Sequence, residues 1–197
     1  LKAQDFVDPT TASGTGTFIN YPLADGSALN GQAALIWNPT DTSSYYFNIS
    51  DRTRFPTVFE RFSTRFGTAA SNPGLKTERA ANFEIGTKQN IGGWQLNGSV
   101  FYSDVTNAIE AVILPPPAPV GTTQSRNVGH GAFYGLEAEA IVALVPDTLN
   151  LRLFTDIVYG RLKNNGNIPR ITPQRFGFDL DFKRNAWQAN FNLTRVT

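Results

Sequence analysis

Arginines and phenylalanines interleave between residues 52 and 66 of the chain. Such a stretch could bind an anionic ligand that carries a flat ring, because the planar guanidinium matches carboxylate, phosphate and catecholate oxygens. Asp51 and Glu60 offset only two of the four arginine charges. The predicted ligand-binding residues are Arg52, Arg54, Phe59, Arg61, Phe62 and Arg65, with Phe66 alongside. The alternative is that Arg54 and the phenylalanines only pack this segment against the rest of the protein.

Catalytic chemistry has little support in the sequence. The chain has one histidine and no cysteine. His130 lies close to Ser125 and Asn127, which are the residue types of a Ser–His–Asn hydrolase, but neighbours on one strand do not make that geometry. A metal site would need further ligands beside His130, and no glycine-rich phosphate loop is present. The sequence therefore predicts no enzyme, no cofactor and no metal site.

Charged residues recur at alternate positions in several segments. Between residues 175 and 183, the phenylalanines and Leu180 take one parity, whereas arginine, aspartate and lysine take the other. This alternation is typical of a strand with one apolar and one polar face. The residues predicted to line a wet interior are Glu84, Glu137, Glu139, Arg152, Arg175, Asp179 and Asp181. Alternatively, they are solvated charges that pair with one another and stabilise the fold little.

The elements that carry these residues are predicted to be strands throughout. Residues 71–86 read SNPGLKTERAANFEIG, in which Asn72-Pro73-Gly74 forms a turn and the alternation that follows begins a strand. Gly74 permits a positive φ in that turn. No helical period of about ten or more residues is present. Strands are expected at about 31–38, 43–54, 79–90, 93–113, 124–144, 148–163, 172–183 and 185–197.

Composition narrows the class of protein. Charged residues make up 17% of the 197 residues, below the roughly 25% of soluble domains, and phenylalanine occurs 15 times. A net charge of +1 gives no reason to expect nucleic acid as a partner. The sequence has no run of about 18 apolar residues, so no transmembrane helix is expected.

The connections and the aromatic residues predict a barrel that crosses a membrane. Short connections alternate with long ones, as in outer-membrane barrels, whose periplasmic turns are short and extracellular loops long. The long connections cover 55–78, 114–123 and 164–171. All 3 tryptophans lie beside short turns, and other aromatic residues follow about 8 to 12 residues later, a spacing typical of two aromatic girdles. Phe83 and Ile85 are then expected to face lipid. A water-soluble barrel or sandwich is the alternative.

The order of the motifs resembles the barrel of TonB-dependent outer-membrane receptors. Residues 54–62 read RFPTVFERF and residues 72–86 read NPGLKTERAANFEIG, similar to that family's R-x-P-T loop entry, N-P-x-L-K-P-E turn and N-x-E-x-G strand. Thr77 stands where the family usually has proline. FYSDVTNAI at 101–109 and NVGHGAFYGLEAE at 127–139 resemble strands that follow in the family. The resemblance covers about 31–197.

The resemblance implies an all-β fold: an antiparallel transmembrane β-barrel segment of about 8 strands from a barrel of about 22. Residues 1–197 would form part of one barrel domain in the bacterial outer membrane, with the plug domain and the barrel ends absent. The family imports scarce nutrients with energy from the TonB protein, and a ferric siderophore or similar metal chelate is the expected cargo. Membrane lipid, the plug domain, TonB and the small-molecule chelate would be the partners. The alternative is a passive porin or another structural or adhesive outer-membrane barrel.

Overall fold

The computed structural model describes residues 26–63, 65, 68–162, 166–167 and 171–197, and β-strands dominate them. In chain order the elements are β1 (Gly31–Thr40), β2 (Ser43–Arg54), α1 (Val58–Phe62), β3 (Ala69–Ala70), β4 (Glu78–Ile91), β5 (Trp94–Ile113), β6 (Thr123–Val145), β7 (Leu149–Leu162), β8 (Gly166–Asn167), β9 (Arg175–Arg184) and β10 (Trp187–Val196). The eight long strands coincide with those expected from the sequence, with small shifts at their ends. Within these described ranges, no helix is long and apolar enough to cross a membrane.

The described strands form one sheet in the order β1-β2-β4-β5-β6-β7-β9-β10, with β3 beside β6 and β8 beside β7. Long neighbours such as β6 and β7 pair antiparallel, which confirms the predicted all-β class. Three small elements were not expected: β3, β8 and α1. β3 also runs parallel to β6, through Ala69 and Ala70. Elements of two to five residues are too short for the alternation or helical period of apolar residues to reveal them.

The chain divides into two compact units. Among the described residues, the first comprises 26–30 and those within Arg52–Ala80 and Val105–His130, and the second comprises those within Gly31–Asp51, Ala81–Asp104 and Gly131–Thr197. The first unit contains the residues predicted to bind ligand, and the second contains those predicted to line the interior.

Strand register sorts the side chains of the second unit onto two faces. Phe178 on β9 pairs with Leu153 on β7 and with Leu193 on β10. One residue further along β9, Asp179 pairs with Arg152. Directly paired residues of antiparallel strands point to the same side, so an apolar face and a polar face lie back to back. Leu193 remains 56% exposed, so no second layer covers the apolar face at this position in the described structure.

The turns show where glycine is needed. Gly92 and Gly93, between β4 and β5, have φ values of 57° and 83°, which a residue without a Cβ adopts at little cost. Gly74 does not use the positive φ that glycine permits. There the Leu75 N–H donates to the Asn72 carbonyl at 3.2 Å, and a turn closed in this way can form with negative φ values alone.

In the first unit, the long segment after β2 is fastened to β6 by side-chain amides. The Asn72 amide donates to the Ser125 carbonyl at 2.8 Å, and the Gln124 amide donates to the Ser71 carbonyl at 2.9 Å. The hydrophobic side chains that are most buried in the described chain are Ala69, Ala70, Leu75 and Val105. Three of these four residues lie in the predicted loop, so part of the loop is buried although its sequence reads as an irregular connection.

Candidate functional site

Arg152 on β7 joins two carboxylates on the polar face of the second unit. Its guanidinium donates from Nη1 to Asp179 Oδ2 at 2.9 Å and from Nε to Glu139 Oε1. The Asn97 amide adds a second donor to Glu139 at 3.1 Å. Arg152 pairs directly with Asp179 in the sheet, and Glu139 lies diagonally across from it on β6. The structure thus brings three of the predicted interior residues into one ion network.

Two further predicted residues on this face have single partners. Arg175 Nη2 donates to Asp156 Oδ2 at 2.5 Å, and the two residues are directly paired between β9 and β7. Asp181 accepts a hydrogen bond from the Asn190 amide at 2.7 Å. These bonds agree with the alternative in which the charges pair with one another, and each exposed pair stabilises the fold by only about 0–1 kcal/mol.

Aromatic rings on the polar face cover glycines of the neighbouring strand. The ring of Tyr46 on β2 lies over Gly86 on β4, and its hydroxyl donates to Glu84 at 2.9 Å. A Cβ at Gly86 would collide with this ring. The same arrangement recurs where Phe101 lies over Gly135 and where Phe154 lies over Gly177. No sequence pattern indicated these contacts, because each joins residues on different strands.

A polar cavity of about 420 Å³ lies within the second unit. Its lining includes Glu137, Glu139, Arg152 and Arg175, so it collects four of the predicted interior residues. The guanidinium of Arg152 also lies 4.8 Å from the centre of the Phe154 ring, a cation–π distance. Carboxylates and guanidinium groups therefore alternate around a space that is large enough for polar side chains or water.

In the first unit, Arg54 is held between two glutamates. Its Nη1 lies 2.9 Å from Glu60 Oε1, and its Nη2 lies 3.2 Å from Glu78 Oε2. Thr57 and Glu60 form a capping box at the start of α1, in which the Thr57 hydroxyl accepts from the Glu60 N–H and the Glu60 carboxylate accepts from the Thr57 N–H. Arg54 thus fastens α1 to β4, and two carboxylates balance its charge.

The contacts with Thr57 and Arg54 change the pKa of Glu60. Burial is the largest single influence and raises its pKa, but the N–H and hydroxyl of Thr57 and the guanidinium of Arg54 together outweigh burial and lower the pKa. From the sequence, Glu60 was interpreted only as a charge that offsets the arginines. Its spacing from Thr57 is the S/T-x-x-E signature of a capping box, which could have identified both the helix and this role.

The other predicted ligand-binding residues are spread over α1 and its surroundings. Arg61 donates from Nη2 to the Leu75 carbonyl at 3.1 Å. The Arg65 guanidinium lies 5.3 Å from the centre of the Phe59 ring, and Phe59 is 58% exposed. Arg52 lies on β2 and Phe62 is the last residue of α1. Phe66 falls outside the described residues. Arg65 and Phe59 thus form an exposed cation–aromatic pair of the predicted kind.

Asn127, one of the residues that were weighed for catalysis, holds neighbouring segments of the fold together. The Asn127 amide donates to the carbonyls of Lys76 at 3.0 Å and Asn107 at 2.8 Å. These bonds join β6 to the long segment after β2 and to β5, and they occupy the Asn127 amide. The described part of the chain contains no group of three or more histidine, cysteine, aspartate or glutamate side chains that could hold a metal ion.

The family model described as "TonB dependent receptor-like, beta-barrel" matches residues 3–197. The chain belongs to this family. TonB-dependent receptors are receptors and transporters rather than enzymes. A search of curated protein sequences found no match.

Solved structures of metal and siderophore transporters have the same fold. The copper transporter OprC has a TM-score of 0.70 at 20% identity, over 82% of this chain and 24% of OprC. The iron transporter FrpB from Neisseria meningitidis has a TM-score of 0.63 at 22% identity, over 85% of this chain and 26% of FrpB. The third structure is a mutant of the ferric enterobactin receptor PfeA from Pseudomonas aeruginosa in complex with enterobactin. Its TM-score is 0.67 at 21% identity, over 83% of this chain and 27% of PfeA. The chain spans about a quarter of the length of these structures.

Proposed function

We propose that this chain is part of the barrel of a bacterial outer-membrane receptor that imports a ferric siderophore or a similar metal chelate with energy from TonB. The family match over residues 3–197 is the observation that carries the proposal. The similar folds of copper, iron and enterobactin transporters favour a metal chelate as cargo. In this proposal the apolar face of the second unit contacts membrane lipid. The polar face, with Glu84 and the Arg152 network, faces the interior and the plug domain.

The proposed ligand contacts lie in the first unit. Arg52, Arg54, Phe59, Arg61, Phe62 and Arg65 remain the proposed set, and the contacts of four of them indicate two roles. Arg54 and Arg61 hold the loop in shape, through Glu60 and the Leu75 carbonyl respectively. Arg65 and Phe59 present a cation over an exposed ring, which suits the anionic oxygens and flat rings of a catecholate chelate.

Transport is tested in cells that carry the full-length receptor. Uptake of radioactive iron, supplied as ferric catecholate or ferric hydroxamate chelates, is compared between strains with and without TonB. We expect uptake of one chelate class that disappears without TonB. Uptake that continues without TonB would show a passive porin, and uptake of neither class would reject a siderophore as cargo.

The ligand contacts are tested by Arg65→Ala and Phe59→Ala in the full-length receptor, with Arg126→Ala as the matched control. Arg126 is an exposed arginine of the same unit outside the proposed set. We expect weaker chelate binding for the first two variants. The loss for Arg65→Ala should shrink as salt rises, because screening weakens attraction between exposed charges. Equal affinities in all three variants would reject the proposed contacts.

A further inference from the structure

An apolar groove of about 290 Å³ opens on the second unit. Gly98 on β5 and Ala138 on β6 form its floor. Its walls are Tyr45, Ile85, Val100 and Leu136. These wall residues are between 37% and 56% exposed, so the groove is open along its length rather than sealed by neighbouring side chains.

The groove belongs to the apolar face of the sheet. Ala138 pairs with Thr155 on β7 and lies between Glu137 and Glu139 in sequence, whose side chains point to the opposite, polar face. Leu136 pairs with Ile157 on the same apolar face. The groove is therefore continuous with the surface that the proposed function places against membrane lipid.

Within the described part of the chain, packing gives no reason for the missing side chain at Gly98. A Cβ at Gly135 would collide with the Ile157 carbonyl, and a Cβ at Gly86 would collide with the Tyr46 ring. At Gly98 the nearest atom to an added Cβ is the Glu137 carbonyl oxygen at 3.8 Å, which is ordinary van der Waals contact. Glycine is thus required at two of these positions by the neighbouring strand, whereas at Gly98 it leaves open space.

The geometry points to a binding site for one acyl chain of a membrane phospholipid in this groove. The inference rests on the proposed membrane location. An acyl chain suits the groove because the walls offer apolar side chains and the floor offers no side chain beyond a methyl group. Gly98 follows Trp94, beside the short turn, by four residues, which corresponds to a depth of roughly 9 Å for a strand tilted by about 45°. In this family short turns are periplasmic, so the phospholipid belongs to the periplasmic leaflet.

The site is tested by filling the groove in the full-length receptor. Ala138→Leu places a branched side chain on the floor, and Ala140→Leu makes the same change one repeat along the same face of β6, outside the groove. Both variants are extracted in mild detergent, and bound phospholipids are counted by native mass spectrometry. Gly98→Leu is a second groove-filling variant in case Ala138→Leu does not fold. TonB-dependent uptake of the chelate, measured alongside, reports whether each receptor is intact.

We expect the wild type and Ala140→Leu to retain one more phospholipid than Ala138→Leu or Gly98→Leu. Equal phospholipid counts in all folded variants would overturn the inference. Loss of a dimer mass, or of a bound peptide, on filling the groove would also overturn it, because the occupant would then be protein. Uptake that fails in every variant and in the wild type would instead reject the proposed function, and the phospholipid count would still decide the groove.

Discussion

The two faces of β9 can be distinguished by placing the same charge on each. Leu180 pairs with Leu151 on β7 and with Phe191 on β10, so it lies in an apolar row that crosses three strands. Asp181, the next residue, accepts a hydrogen bond from Asn190 at 2.7 Å on the other face. Leu180→Arg and Asp181→Arg therefore test the same side chain on the same strand, with only the face changed.

The expected costs follow from depth and from the lost contacts. Leu180 is four residues from the end of β9 at Arg184, or roughly 9 Å of depth in a tilted strand, which places it well inside an apolar band about 25 Å tall. An arginine near the midplane costs about 2–4 kcal/mol of folding free energy. Asp181→Arg loses one hydrogen bond, worth about 0.5–1.5 kcal/mol, and leaves its charge in water. Leu180→Arg should lower the ratio of folded to unfolded receptor roughly 30- to 700-fold.

The measurement is denaturant unfolding of the full-length receptor in phospholipid vesicles, followed by tryptophan fluorescence. We expect Leu180→Arg to be the more destabilised variant by about 1–3 kcal/mol. The reverse order would mean that the register is wrong by one residue, since a shift of one exchanges the two faces. Equal small costs would mean that neither face contacts lipid, which would refute the membrane-facing assignment.

Three further predictions concern single contacts. Gly135→Ala should destabilise the receptor by about 1–3 kcal/mol in the same unfolding assay, because its Cβ meets the Ile157 carbonyl, whereas Gly98→Ala should be tolerated; similar costs would contradict the packing argument. Arg152→Met leaves two carboxylates without their cation and should cost about 1–2 kcal/mol in that assay, and no loss would show that water replaces the guanidinium. Because the folded pKa of Glu60 is lowered, its stabilisation of α1 is present above the ordinary glutamate pKa and lost as pH falls through the lowered value; proteolysis of the loop should rise over that window in the wild type and be independent of pH in Glu60→Gln.

The positions of the long strands and the two faces of β9 were predictable from the sequence. Alternation of apolar and polar residues is a local property, because successive side chains of a strand point to opposite sides wherever the strand lies. The family motifs in their order also allowed the barrel family to be recognised, and the family match confirmed it. The expected lipid contact, cargo and ligand residues stay predictions that the experiments above address.

The loop after β2 shows what local patterns missed. The sequence indicated four arginine charges with two offsetting acids nearby, but Glu78, 24 residues from Arg54, also pairs with it. Hydrogen bonds made by the side chains of Asn72, Gln124 and Asn127 hold the loop to β6. This strand lies about 50 residues further along the chain. The capping box could have been predicted from the sequence, because its two residues are only three positions apart.

The sequence by itself determined that each strand has an apolar and a polar face, because that depends only on the order of residues along one strand. The tertiary structure decided which polar residues meet. Arg152 bonds Glu139, 13 residues earlier, and Asp179, 27 residues later, and Tyr46 covers Gly86 on the next long strand. Those partners depend on the register between strands, which the pairing of whole strands and the lengths of the turns set together. A shift of two residues would keep every face unchanged and replace every partner.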